Sequence, residues 1–133
     1  MDSSQTVGPN DTRARRAALQ RGRLGEAAAV TYLTDAGYQI IERNYRMYRG
    51  EIDIIALDGE ALVFVEVKTR LERDAADPLE SVSVRKMQRV KAAATHYLYI
   101  KDLEEALCRF DILCVILTDA EPRIEQLKDV VDF

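Results

Sequence analysis

The sequence predicts one α/β domain, a mixed β-sheet flanked by helices, in the order α-β-β-β-α-β-(β). Three observations predict it. Residues 50–70, GEIDIIALDGEALVFVEVKTR, hold two short β-branched runs, 51–57 and 62–68, separated by Asp58-Gly59-Glu60; this is a strand–turn–strand signal. Residues 22–36 and 84–100 space their apolar side chains at the helical period. Residues 109–117, RFDILCVIL, form an apolar run suited to a central strand.

In chain order, residues 1–12 are polar and contain Gly8-Pro9-Asn10-Asp11, so disorder is expected there. Arg13, Arg15, Arg16, Arg21 and Arg23 follow. They fit a solvated helix start better than a nucleic-acid arm. Residues 1–20 are therefore expected as a disordered or frayed basic segment ahead of a single domain, 21–133. The first helix is alanine-rich and ends at Gly37. On it, Glu26 shares a face with Ala29, Val30 and Leu33, and a carboxylate on an apolar stripe needs a partner. Either a nearby arginine supplies it in a salt bridge, or Glu26 stands at the rim of the Asp53 site described next. Residues 38–46 form a strand. Arg46, Tyr48 and Arg49 then offer charge and a stacking ring to a nucleic acid, or Tyr48 simply packs in its loop.

The hairpin has a chemical consequence. A two-residue turn on Asp58-Gly59 or Gly59-Glu60 makes cross-strand residue numbers sum to an odd value. Side chains alternate with period 2, so Asp53 then shares a face with Glu66, Lys68 and Glu51. Val63, Val65, Val67, Ile52 and Ile54 take the other face. A three-residue loop without a bulge would break the convergence. Three carboxylates together need neutralisation. Lys68 supplies one positive charge, and a hard cation such as Mg²⁺ (or Mn²⁺) suits an all-oxygen set of Asp53, Glu66 and Glu51. The alternative is an exposed sheet face laced with salt bridges.

Residues 69–83 form a polar loop with Pro78, and Thr69 and Arg70 leave the strand beside Lys68, where both could contact phosphate. Arg70 could instead balance Glu66. Ser83 caps the second helix. Its expected apolar face is Val84, Met87, Val90, Ala94, Tyr97 and Leu98, with Arg85, Arg89 and His96 opposite and Lys86 at the border. Arg85, Lys86 and Arg89 are either a phosphate-contacting stripe or a solvated face. His96 has no acid–base partner in the adjacent sequence. Asp111 is a buried charge expected to be structural. Residues 122–128 form a weaker final strand.

Taken together, GRLGEAAAVTYL (22–33), RNYR (43–46), the hairpin (50–70), PLESVSVRKMQRVKAAATHYL (78–98) and RFDILCV (109–115) resemble the YraN family of small bacterial proteins. The resemblance implies a fold like that of restriction endonucleases and Holliday-junction resolvases. In that wider group an Asp and a Glu-x-Lys on adjacent strands bind metal and position the attacking water, and a Glu on the first helix often joins them. Carried over, these are Asp53, Glu66, Lys68 and Glu26. The implied activity is metal-dependent hydrolysis of phosphodiester bonds, with branched DNA as a substrate by analogy. A non-catalytic nucleic-acid-binding or accessory module on the same fold is the other class of function. Resolvase-like relatives act as dimers, so a homodimer is expected.

Composition sets the outer bounds. The chain has 133 residues, 47% hydrophobic and 32% charged, with net charge −4, which fits a globular domain and does not suggest a nonspecific DNA coat protein. The charge is uneven. Residues 1–100 hold 15 basic and 14 acidic side chains, against 4 and 9 in 101–133, so a polyanion should meet the first part. Cys108 and Cys114 lie too far apart on one strand to pair, and neither CxxC nor a Cys/His cluster suggests zinc. No apolar run marks a signal peptide or membrane span, so a reducing cytoplasm and no membrane partner are expected. A two-carboxylate glycosidase fits poorly, because Lys68 stands two residues from Glu66 and aromatic residues are few.

Overall fold

The computed structural model describes residues 9–74 and 84–130. Helix α1 (Pro9–Asp35) precedes three strands, β1 (Gln39–Met47), β2 (Gly50–Asp58) and β3 (Ala61–Leu71). A 3₁₀ turn (Glu72–Asp74) follows, then helix α2 (Val84–Ile100), β4 (Cys108–Leu117) and β5 (Arg123–Leu127). The strands form one mixed sheet in the order β1-β2-β3-β4-β5. Only β3 and β4 are parallel, as the intervening α2 requires; the other pairs are antiparallel. The expected α/β class and element order hold, with the final strand present.

Among the described residues, each face of the sheet carries one helix. Ala29 and Leu33 of α1 pack with Ile54, Val63, Val65, Leu113 and Val115. Val90, Ala93, Ala94 and Tyr97 of α2 pack with Tyr45, Ile52, Phe64 and Phe110 on the other face. Val84, expected on the apolar face of α2, is exposed instead, at the helix's first described residue. His96, expected opposite that face, is half-buried, and its Nδ1 lies 2.6 Å from the Tyr45 hydroxyl. Tyr48 is 91% exposed, so it is not loop packing. Ser83 and Pro78 lie outside the described residues.

Helix α1 starts at Pro9, not Gly22. Proline suits a first helical position, Asp11 faces the positive end of the helix dipole, and the alanines and arginines that follow are good helix formers. Residues 9–20, expected to be disordered or frayed, are therefore helical, and the side chains of 11–20 are exposed. The C-terminus is a Schellman stop. Gly37 has φ +94°, the Tyr38 amide donates to Leu33 O at 2.9 Å, and the Gly37 amide donates to Thr34 O at 3.0 Å.

The β2–β3 turn is the two-residue loop Gly59-Glu60, since Asp58 pairs with Ala61. Gly59 takes φ +61° there, which a side chain would resist. The pairing sum is odd, as the sequence predicts. Ladder pairing stops at Ile54↔Val65, while β3 continues alongside β4 to Leu71↔Leu117. The two hairpin arms thus part just where Asp53 and Glu66 stand.

Alternation also resets at that level. Ile52 faces α2 and Ile54 faces α1, although strict alternation places both on one face. In β1, Asn44 has φ +54°, a conformation asparagine tolerates, and the following Tyr45 turns toward α2 beside Ile52. Among the described residues no helix is long and apolar enough to cross a membrane.

Candidate functional site

The site lies in the gap between the parted ends of β2 and β3. Asp53 bridges that gap: its Oδ2 accepts from the Val67 amide at 2.8 Å, standing in for the ladder bond that is missing there. The Asp53 carboxylate faces that of Glu66, and a proton held on Glu66 is stabilised by hydrogen bonding to it.

Glu66 is 4% exposed, and its Oε1 has no hydrogen-bond partner. Burial, and next the charge of Asp53, raise its pKa from 4.5 to about 7; Lys86 and Lys68 offset only part of this. Lys86 is the nearer cation, with Nζ 3.3 Å from Glu66 Oε2, against 3.6 Å for Lys68. Lys86 also donates to Glu51 Oε1 at 2.9 Å. Burial pulls the Lys86 pKa down, but the bond to Glu51 and the charges of Glu66, Glu51 and Asp53 outweigh it, and the net shift is upward. The same bond, opposed by burial, leaves the Glu51 pKa lowered, with Arg89 at 3.6 Å adding to it.

Glu26 approaches from the α1 side. It is held by Arg43 at 3.0 Å and by Asn44 Nδ2 at 2.9 Å. It also lines, with Asp53, Arg23 and Arg46, a cavity of about 540 Å³ between α1 and the sheet. The anticipated arginine salt bridge is thus present, and Glu26 shares its cavity with Asp53. The expectation that Glu51, Asp53, Glu66 and Lys68 share one face needs correction. Glu66, Glu51 and Lys86 meet under α2, Glu26 belongs to the α1 side, and Asp53 lies at the reset between them. Among the described residues, no group of three or more His, Cys, Asp or Glu side chains stands at metal-holding spacing. Two facing carboxylates with a buried unpartnered oxygen do fit a Mg²⁺ that keeps most of its waters.

The basic residues divide. Lys86 and Arg89 face the site carboxylates. Arg70 donates to the backbone oxygen of Thr69 at 2.9 Å rather than to Glu66. Arg85 is exposed, and Arg49 lies over the Tyr48 ring, 5.5 Å from its centroid. Thr69 packs under Gly25 of α1, so closely that a Cβ at Gly25 would collide with its Oγ1. Gly50 plays the same part under α2, where a Cβ would meet Ala93 N at 2.8 Å. Gly50, the first residue of β2, thus admits the close approach of the helix.

Asp111 is structural. Fully buried, it accepts from Arg109 at 3.0 Å, Gln126 at 3.0 Å and the Asp129 amide at 2.9 Å. The Lys86 bridge and the Arg43–Asn44 clamp are the site features sequence reasoning missed. Their signals were the border position of Lys86 on α2 and the RNYR motif.

The family model described as "Uncharacterised protein family UPF0102" matches residues 25–115, a stretch that holds every carboxylate of the site. A UPF0102 protein of Moorella thermoacetica is 48% identical over 105 residues, 79% of this chain and 87% of its own length. One from Chlorobium chlorochromatii is 53% identical over 107 residues, covering 80% and 78%. One from Syntrophus aciditrophicus is 44% identical over 114 residues, covering 86% and 90%. With a match of this extent in the family model and in each relative, the chain belongs to the UPF0102 family, the YraN family.

Proposed function

We propose that this protein is a metal-dependent nuclease that hydrolyses phosphodiester bonds. The observation that carries the reading is Glu66: a buried carboxylate with an unpartnered oxygen, facing a second carboxylate, at the mouth of a parted hairpin. A carboxyl pair of this kind is costly unless a cation joins it. Asp53 and Glu66 would hold Mg²⁺ or Mn²⁺, while Glu26, held by Arg43 and Asn44, and Glu51, held by Lys86, stand apart from that pair. When bound, the ion supplies Lewis acidity toward phosphate and acidifies a bound water. Lys68 would orient the attacking water or stabilise charge building on phosphate. Arg49, Thr69, Arg70, Arg85, Lys86 and Arg89 are the phosphate contacts, Lys86 and Arg89 by exchanging a carboxylate for it. The element order agrees with a nuclease-like fold. Branched DNA as substrate and a homodimer rest on likeness to resolvases alone. The free thiols of Cys108 and Cys114 fit a reducing cytoplasm.

One observation favours a second reading. Lys86 already bridges Glu51 and Glu66, so the acidic cluster also serves as a clasp between the hairpin and α2. A non-catalytic nucleic-acid-binding module would need no more. Incubating branched, single-stranded and duplex substrates with the protein and Mg²⁺ or Mn²⁺ separates the two. Cleavage that is lost in Asp53→Asn supports the nuclease; an intact panel supports the module.

A further inference from the structure

We propose that α1 and the β1–β2 tip form the two walls of a groove that takes a single strand of nucleic acid and leads it to Asp53. The proposal deepens the nuclease reading and rests on it for the identity of the polymer.

The first wall is the part of α1 that stands off the core. Residues 11–20 are exposed, and a short helix exposed on all sides gains little from packing. Residues 9–24 hold five arginines and one acid, Asp11. The helix lines the cavity with Ala18, Leu19, Gly22, Arg23 and Glu26, which is one helical face. Stepping back seven residues from Gly22 and Arg23 reaches Arg15 and Arg16. The same face therefore runs from two arginines, past Arg23, down to the acidic floor. At 1.5 Å per residue, Arg16 to Glu26 spans roughly 15 Å, enough for a few nucleotides.

The second wall is the hairpin tip. Arg46 faces the cavity from β1. Two residues on, Tyr48 is 91% exposed, with the Arg49 guanidinium stacked near its ring. An aromatic ring held out at a tight turn is a stacking platform, and stacking needs an unpaired base with a free face. The cavity, about 540 Å³, has the volume of a small-ligand cleft, too little to enclose a stretch of duplex. Basic walls above an acidic floor suit a polyanion that runs along the walls and presents one phosphate below.

Binding, read without cleavage, tests this. Anisotropy of a labelled 12-nucleotide single strand and of its duplex is measured in EDTA across a salt series. The parent should bind the single strand at least about tenfold more tightly than the duplex. Arg15→Gln/Arg16→Gln should lower single-strand affinity about tenfold or more and reduce the salt slope by about 1.4, since each lost phosphate contact removes about 0.7. Tyr48→Ala should lower affinity about 5- to 100-fold with the salt slope unchanged. A duplex bound as tightly as the single strand overturns the proposal, as does parent-like binding by either variant. Failure of the nuclease reading looks different: the binding pattern holds, and the parent cleaves nothing with Mg²⁺ or Mn²⁺.

Discussion

Lys86 Nζ lies 3.3 Å from Glu66 Oε2, so the cation nearest the buried carboxylate comes from α2 and not from the Glu-x-Lys motif. Removing it leaves Glu66 and Glu51 short of compensation. Lys86→Met should cost roughly 1–3 kcal/mol in urea denaturation, less than for a fully buried pair because Lys86 and Glu51 are partly solvated. It should also raise the Glu66 pKa further. Parent-like stability would mean that Lys68 alone balances Glu66.

Glu66 makes stability depend on pH. Its carboxyl titrates near 4.5 when unfolded and at about 7 when folded. Between these values the folded chain holds more protons, so the metal-free protein should lose stability as pH rises from about 4.5 to about 7. The size is on the order of 1–3 kcal/mol. Thermal melts of the parent and Glu66→Gln across this window read it. The variant should lack this contribution, and identical profiles would show that Glu66 carries no such load.

The same ionisation governs the cation. Ligation needs the carboxylate form, so Mg²⁺ or Mn²⁺ affinity by calorimetry should rise from pH 6 to pH 8, with proton release on binding. Asp53→Asn should weaken it at least about tenfold, in line with the loss of one ligand charge. Affinity that ignores both pH and the substitution would make the carboxylates purely structural.

Lys68 separates chemistry from binding. Lys68→Ala should slow single-turnover cleavage by roughly 10²–10⁴. Its affinity for the same substrate should stay near that of the parent. Cleavage at the parent rate removes Lys68 from the mechanism.

Gly50 sets the approach of α2. In Gly50→Ala the new methyl meets backbone, Ala93 N and the Arg89 carbonyl, which cannot swing aside. A loss of about 1–3 kcal/mol is expected, with the Lys86 bridge loosened. Gly22, on α1, has nothing within 4 Å of such a methyl. Gly22→Ala should be neutral or stabilise by about 0.5–1 kcal/mol. Equal melting temperatures for the two variants would refute the packing argument.

Much of this was legible in residue order. The β2–β3 register follows from a short Gly-containing turn, and α2 runs over the residues its periodicity gives, because both signals are local. The reset at Asp53 was not legible: strict alternation puts Ile52 and Ile54 on one face, and nothing local in the sequence marks the break. Lys86 looked like a surface cation because its partners, Glu51 and Glu66, lie 35 and 20 positions away. The start of α1 was missed because Gly8-Pro9 signals a loop as readily as it signals a first helical turn.

Asp53 has two duties that a single substitution can confuse. One oxygen closes the ladder by accepting from the Val67 amide, so the side chain is a piece of main-chain architecture as well as a charge. Asparagine retains an oxygen for that amide; alanine does not. An alanine at 53 would unpick the hairpin's last stitch, and its inactivity would say nothing about ligation. The contrast between the asparagine and alanine variants is what tells a silenced carboxylate from an unravelled strand.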